Sequence, residues 1–256
     1  MLTIKQQGNR TIYTINNATR YNAIESLPDE VINECKKFAF DMSFGKEGEH
    51  RATRSGGKNS RKNGEIFCDA FNGKLGEFAF WRYSRKRNLE LPRPDLDTFK
   101  LGKWDESDFV SGKYNLAVKT TKSIGNLLLL EEKDWDEKGT YIPNKNKPGA
   151  GIYHAIVLVR LDSDITARFR SAKKYFNKNV SWDELEEIFE GFSSDYDIPG
   201  YVNLRNLRRV IQQEHVIKQG GYLGTSKTKM DATNYYIQTG NLMPIDNLLH
   251  ALVNDN

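Results

Sequence analysis

The chain has 256 residues, enough for one large domain or a domain with a small appendage, and long enough to bury a core without covalent staples. Hydrophobic residues make up 38% and no run approaches the length of a membrane span, so a soluble protein is expected. Two cysteines, Cys35 and Cys68, argue against a disulfide framework and exclude a metal site built from cysteine alone. The opening "MLTIKQQGNR" has no apolar stretch of the secretory kind, and with so few cysteines a reducing, cytoplasmic setting is expected.

Net charge is +4 and the pI about 8.8, a mild bias toward nucleic acid. The distribution says more. Between His50 and Glu65 there is no acid, but there are Arg51, Arg54, Lys58, Arg61 and Lys62. "RYSRKRN", "ARFRSAKKYFNK" and "NLRNLRR" are further basic clusters, while acids gather in "WDESD", "EEKDWDE" and "WDELEEIFE". Charge segregated in this way suits a polyanionic partner.

In chain order, "SLPDEVINECKKFAFDM" has apolar residues at helical spacing, with Ser26 placed to cap and Pro28 in the first turn. "RATRSGGKNSRKNG" is a basic, glycine-containing loop, either a solvated linker or a DNA contact. "EIFCDAFNGKLGEFAFWRYSRKR" predicts a helix whose basic end suits a C-terminus; Glu77 lies beside its apolar stripe. "NLELPRPDLDTFKLGKW" is too rich in proline to continue it. "DFVSGKYNLAVKTTK" predicts a hairpin, with Asp108 to Val110, a turn at Ser111–Gly112–Lys113, and Tyr114 to Thr120. Alternation puts Asn115, Ala117, Lys119 and Thr121 on one face of its second strand.

"GNLLLLEEKDWDEKGTYIPNKNKPGAG" is expected to lead into a long polar loop. "IYHAIVLVRL" then predicts a central strand buried on both faces. "SWDELEEIFEGF" is a helix with a capping box at Ser181 and Glu184. "YVNLRNLRRVIQQEHVI" is expected as another helix, followed by a turn-rich, aromatic, basic tail and a short closing helix over "IDNLLHALV". No internal repeat appears and no composition break demands two domains.

Several motifs fail on inspection. "GIY" at Gly151–Tyr153 has no partner strand motif, "GGYLGTSK" lacks phosphate-loop spacing, and the four histidines are scattered. Asp108, Ala117 and Lys119 are different. Phosphodiester hydrolysis needs neutralised phosphate charge and an activated water, which oxygen-bound Mg²⁺ can supply from one or two carboxylates. A lysine projecting from the same strand face can orient the water and stabilise developing charge.

The order of a helix with Glu77, a hairpin with Asp108 and Lys119, and a buried strand resembles the PD-(D/E)xK nuclease superfamily, best represented by type II restriction endonucleases. "SDF" at Ser107–Phe109 matches the first half of the motif and "AVK" at Ala117–Lys119 the second, over roughly Glu65 to Thr121. The resemblance implies a single α/β domain over 1–256, with a mixed central sheet flanked by helices. Its catalytic core would span about 65–165, and a C-terminal region of about 180–256 would serve recognition. It implies Mg²⁺, with Asp108 and Glu77 as metal ligands and Lys119 serving the attacking water. It further implies a homodimer acting on double-stranded DNA beside a companion DNA methyltransferase.

The departure is Ala117, where the family pattern has Asp or Glu. Three explanations stand: an alanine introduced to silence cleavage, favoured by the intact strand around it; an acid moved to Glu131 or Glu132; or a natural binding remnant. Candidate DNA contacts are Arg54, Lys58, Arg61, Lys62, Lys122, Arg205, Lys227, Lys229 and Asn234, since cations bind phosphate and Asn can read adenine. A non-catalytic DNA-binding protein, a repair or junction nuclease, and a protein-interaction role are the alternatives.

Overall fold

A computed structural model describes residues 1–45, 61–97, 107–144, 151–224 and 229–254. An N-terminal hairpin, β1 (Thr3–Gln7) and β2 (Arg10–Thr14), is followed by the short β3 (Glu25–Ser26) and by α1 (Asp29–Ser43) and α2 (Asn63–Arg85). Then come β4 (Phe109–Ser111), β5 (Tyr114–Lys122), β6 (Leu127–Glu131) and β7 (Ala155–Asp162). Helices α3 (Ile165–Ser171) and α4 (Trp182–Phe189) precede β8 (Asp195–Asn203) and α5 (Leu204–Gln212). The chain continues through β9 (Val216–Ile217), β10 (Tyr222–Leu223) and β11 (Asn234–Gln238) to α6 (Ile245–Asn254). The fold is mixed α/β, and no helix among the described residues is long and apolar enough to cross a membrane.

The organising element is a five-stranded sheet in the order β3-β8-β7-β5-β4. β4 and β5 form the expected antiparallel hairpin, turning at Gly112, whose φ of 53° a side chain would resist. β5 and β7 run parallel, and β8 pairs antiparallel with both β7 and β3.

The alternation of β7 explains why this strand is central. Ala155, Val157, Val159 and Leu161 join the core under α1, α2, α3, α4 and α6, while Ile156 and Leu158 join a second core on the other face. That second core is covered by α5, through Leu207 and Ile211, and by β6 and β11 of a separate three-stranded sheet. The first core is rich in phenylalanine. The Phe67 ring lies 4.7 Å from that of Phe169 and that of Phe71 lies 5.1 Å from Phe189, joining α2 to α3 and α4.

Two expectations change, and one region takes a definite place. The run "NLLLLE" does not dissolve into a loop: it forms β6 and pairs with β11, a strand in the tail that turn-rich composition concealed. The segment 201–217 is not one helix, because β8 claims Tyr201 to Asn203 and α5 ends at Gln212. The region of about 180–256 is built into the same fold: β8 lies inside the central sheet, and α4 and α6 pack on the same core as α2.

Candidate functional site

Asp108, Ala117 and Lys119 fall on one hairpin, as alternation requires. Phe109 pairs with Leu116, and both point into the core beneath α2, so Asp108, Ala117 and Lys119 belong to the opposite face. Asp108 Oδ2 accepts from Val118 N at 2.6 Å, closing the end of the β4–β5 ladder.

Two expected members of the site are corrected. Glu77 is on α2, across the sheet from Lys119, and turns toward α1. Its carboxylate accepts from Lys74 Nζ at 2.8 Å, and that ammonium sits 4.9 Å from the Phe38 ring centroid. Ala117 is only 3% exposed and packs with Leu128, Leu130, Ile156 and Leu158. A carboxylate there would have to ionise in an apolar cluster. Glu131 does not replace it: Leu128 and Leu130 face the second core, so alternation turns Glu131 to the other side of its own sheet. Glu132, in the short turn after β6, hydrogen-bonds through its backbone to Thr233.

What α2 and β5 do bring together lies on the other face of the strand. A Cβ on Gly76 would collide with Thr120 Oγ1, so the helix approaches β5 closely enough to require glycine. This contact orients the helix. Toward its N-terminus, Glu65, Asp69, Asn72 and Gly73 look across a cleft of about 690 Å³ at Val118 to Lys122, with Leu161, Ser163, Thr166, Arg170 and Tyr175 completing the wall. Alternation points Val118, Thr120 and Lys122 toward α2. The cleft opens where the parallel strands β5 and β7 end, the usual place for a ligand in such sheets.

The chemistry of the cleft is polar. Glu65 Oε2 accepts from Lys62 N at 3.0 Å, and Asp69 Oδ2 accepts from Arg61 Nη1 at 3.1 Å. A carboxylate has about four acceptor sites, so the bond from Lys62 N leaves Glu65 acceptor capacity. Three buried oxygens in the wall, Asn72 Oδ1, Thr120 Oγ1 and Ser163 Oγ, have no hydrogen-bond partner among the described residues. Buried polar atoms are usually satisfied, and a ligand or water is the ordinary explanation when they are not. No three His, Cys, Asp or Glu side chains that could hold a metal ion converge among the described residues.

Of the expected DNA contacts, Arg54, Lys58 and Lys227 lie outside the described residues. Lys62 is exposed beside the cleft and Lys122 forms part of its wall, while Arg61 is drawn into its pair with Asp69. Arg205 is exposed on α5, on the far side of the sheet, and Lys229 lies over the Tyr222 ring beside the N-terminal sheet. Asn234 is buried and donates to Ala232 O, so it cannot read a base edge.

Sequence reasoning missed Arg160, the one charged residue within the run "AIVLVRL". It is 1% exposed and spends all five donors. Two go to Asp197 and one each to Thr19 O, Arg20 O and Asn126 Oδ1. Beside it, burial and then the charge of Asp197 push the Tyr21 phenol well above its ordinary value, against the pull of Arg160. An arginine with every donor used is a clamp for the segment that leads from β2 to β3, not a binding group. The cleft's acids and polar oxygens were missed as well; their signal was Glu65, Asp69, Asn72, Gly73 and Gly76 along one side of a helix. The chain matches no family model, no curated protein and no solved structure.

Proposed function

We propose that the protein is a Mg²⁺-dependent endonuclease of double-stranded DNA, of the sequence-specific restriction type, and that it hydrolyses phosphodiester bonds in the cleft between α2 and the ends of β5 and β7. The observation that carries this reading is two helix carboxylates, Glu65 and Asp69, facing the strand lysine Lys122 across a polar cleft. The order of helix, antiparallel hairpin and parallel buried strand supports a restriction endonuclease-like core. The elements are those of the PD-(D/E)xK resemblance, with the reacting groups moved one face over on β5 and toward the N-terminus on α2.

Glu65 and Asp69 would hold the metal, which supplies charge neutralisation and an acidified water when bound. Hydrolysis adds water's oxygen to phosphorus and releases the leaving oxygen, which takes up a proton. Lys122 stabilises the negative charge that grows on the phosphoryl oxygens. Asn72, Thr120 and Ser163 orient water or phosphate by hydrogen bonds. Lys62, Lys122 and Arg170 attract the DNA backbone. No acid is required at position 117, where alanine serves packing. Two cuts in a duplex call for two such clefts, hence a homodimer, and protection of the host's own DNA calls for a methyltransferase.

The test is cleavage of varied duplex DNA with Mg²⁺ or Mn²⁺. Discrete fragments are expected, and Glu65→Gln or Asp69→Asn should lower cutting at least 100-fold while DNA binding persists. Inert, folded protein on all substrates overturns the enzyme reading. Nicks that follow DNA structure instead of sequence would move it to repair. The second reading, a non-catalytic DNA-binding protein, draws on Ala117 and would be favoured by steeply salt-dependent binding that ignores metal.

A further inference from the structure

We propose that Phe176 is a base-stacking wedge: its ring lies against a nucleobase displaced from the duplex at the rim of the cleft. The inference rests on the DNA-binding part of the reading above, not on cleavage.

Phe176 is 67% exposed, the most exposed of the large aromatic side chains among the exposed hydrophobics of the described residues. The exposure is built into the fold. Its neighbour Tyr175 is buried, lines the cleft, and sits beneath the Arg170 guanidinium at 4.6 Å from the ring centroid. The Phe176 ring meets the Tyr175 ring edge-on at 4.9 Å and 78°. The loop is tied down on both sides: Tyr175 N donates to Phe169 O, Gly64 N to Asn177 O, and Asn63 Nδ2 to Lys178 O. A Cβ on Gly64 would collide with Lys174 O, so the N-terminus of α2 is fitted against this loop. Lys173 holds a φ of 57°, a left-handed conformation that costs energy and turns the chain before the aromatic pair.

The surroundings select the partner. Lys173 and Lys178, exposed, flank Phe176 in the chain, and Arg170 and Lys122 belong to the cleft lined by its neighbour Tyr175. A single exposed ring flanked in the chain by exposed lysines is poorly matched to a protein core, which wants a contiguous apolar patch. It is well matched to nucleic acid, where cations take the phosphates and a ring takes a base face. Proteins that insert such wedges partly unstack the step they touch, and a base already unpaired costs least to engage.

The experiment uses the whole protein without divalent metal, so that DNA stays intact. Its probes are two labelled duplexes, one fully paired and one carrying a single unpaired 2-aminopurine. The wild type should prefer the bulged duplex and quench its fluorescence. Phe176→Ala should lose about 10-fold or more in affinity for the bulged duplex, lose the quenching, and keep its melting temperature. Phe176→Trp should keep both. Lys178→Ala should weaken the two duplexes alike and reduce the salt slope by about 1. If Phe176→Ala retains the preference and the quenching while the wild type binds DNA, the wedge is refuted and the nuclease reading stands. If the wild type binds neither duplex, both fall. If it binds with the expected wedge behaviour but never cuts with metal, only the enzyme reading falls.

Discussion

Two polar clusters of the molecule differ in how their charged groups are matched, although Thr19 Oγ1 and Tyr21 OH beside Arg160 also lack a partner among the described residues. On the α5 side, Arg160 is fully buried and every donor it owns is matched within the chain. Along the α2 cleft, Asn72, Thr120 and Ser163 each keep a buried oxygen unmatched among the described residues, and Glu65, Asp69 and Lys122 line the same cleft. The difference teaches where to look for function. A closed network spends its bonding capacity on stability and has none left for a ligand, whereas an open one carries a standing cost that a ligand can relieve.

The sharpest way to break this comparison is Asp197→Ala. It strands the Arg160 guanidinium without its anion and deprives Asn22 N of its acceptor, so unfolding free energy should fall by about 3–5 kcal/mol in a denaturant titration. A much smaller loss would mean that Arg160 has access to water and that the two clusters differ less than their bonding suggests. Next in size is Ala117→Asp. A carboxylate among Leu128, Leu130, Ile156 and Leu158 should destabilise by about 2–4 kcal/mol near neutral pH and should not improve cutting. Burial raises such a group's pKa, so the penalty should be smallest below about pH 4 and grow as pH rises through the carboxyl range. A stable, more active Ala117→Asp would return the reaction centre to the Asp108–Lys119 face. The smallest effect is expected from Thr120→Val, which exchanges an unmatched hydroxyl for a methyl of the same shape. Stability should change by less than about 0.5 kcal/mol, while on the proposed nuclease reading cutting should fall because the cleft loses a donor.

Much of the architecture was legible because it is written in short-range periodicity. The hairpin around Gly112, the doubly buried β7, the capping box at Ser181 and Glu184, and the long α2 all follow from local spacing and turn chemistry. β6 and β11 were not legible, since neither a leucine run nor "NYYIQ" names its partner, and the two lie far apart in the chain. The candidate site was half legible. The helix and strand named from the sequence, α2 and β5, do border the cleft, and Lys119 is among its lining residues, but Glu77 was selected by motif spacing, and spacing does not say which way a helix will turn its side chains.

By itself, then, the sequence determined the alternation of β5, with Ala117 and Lys119 on one face and Val118, Thr120 and Lys122 on the other, because consecutive side chains of a strand must point apart. It also determined that Gly73 and Gly76 leave α2 bare along one side. Only the tertiary structure decided that the bare side meets Thr120, leaving Glu65 and Asp69 facing Lys122 while Glu77 turns to Lys74 and α1. The reason is packing: the phenylalanine-rich core fixes how α2 lies on the sheet, and one rotation of that helix determines which carboxylates reach the strand.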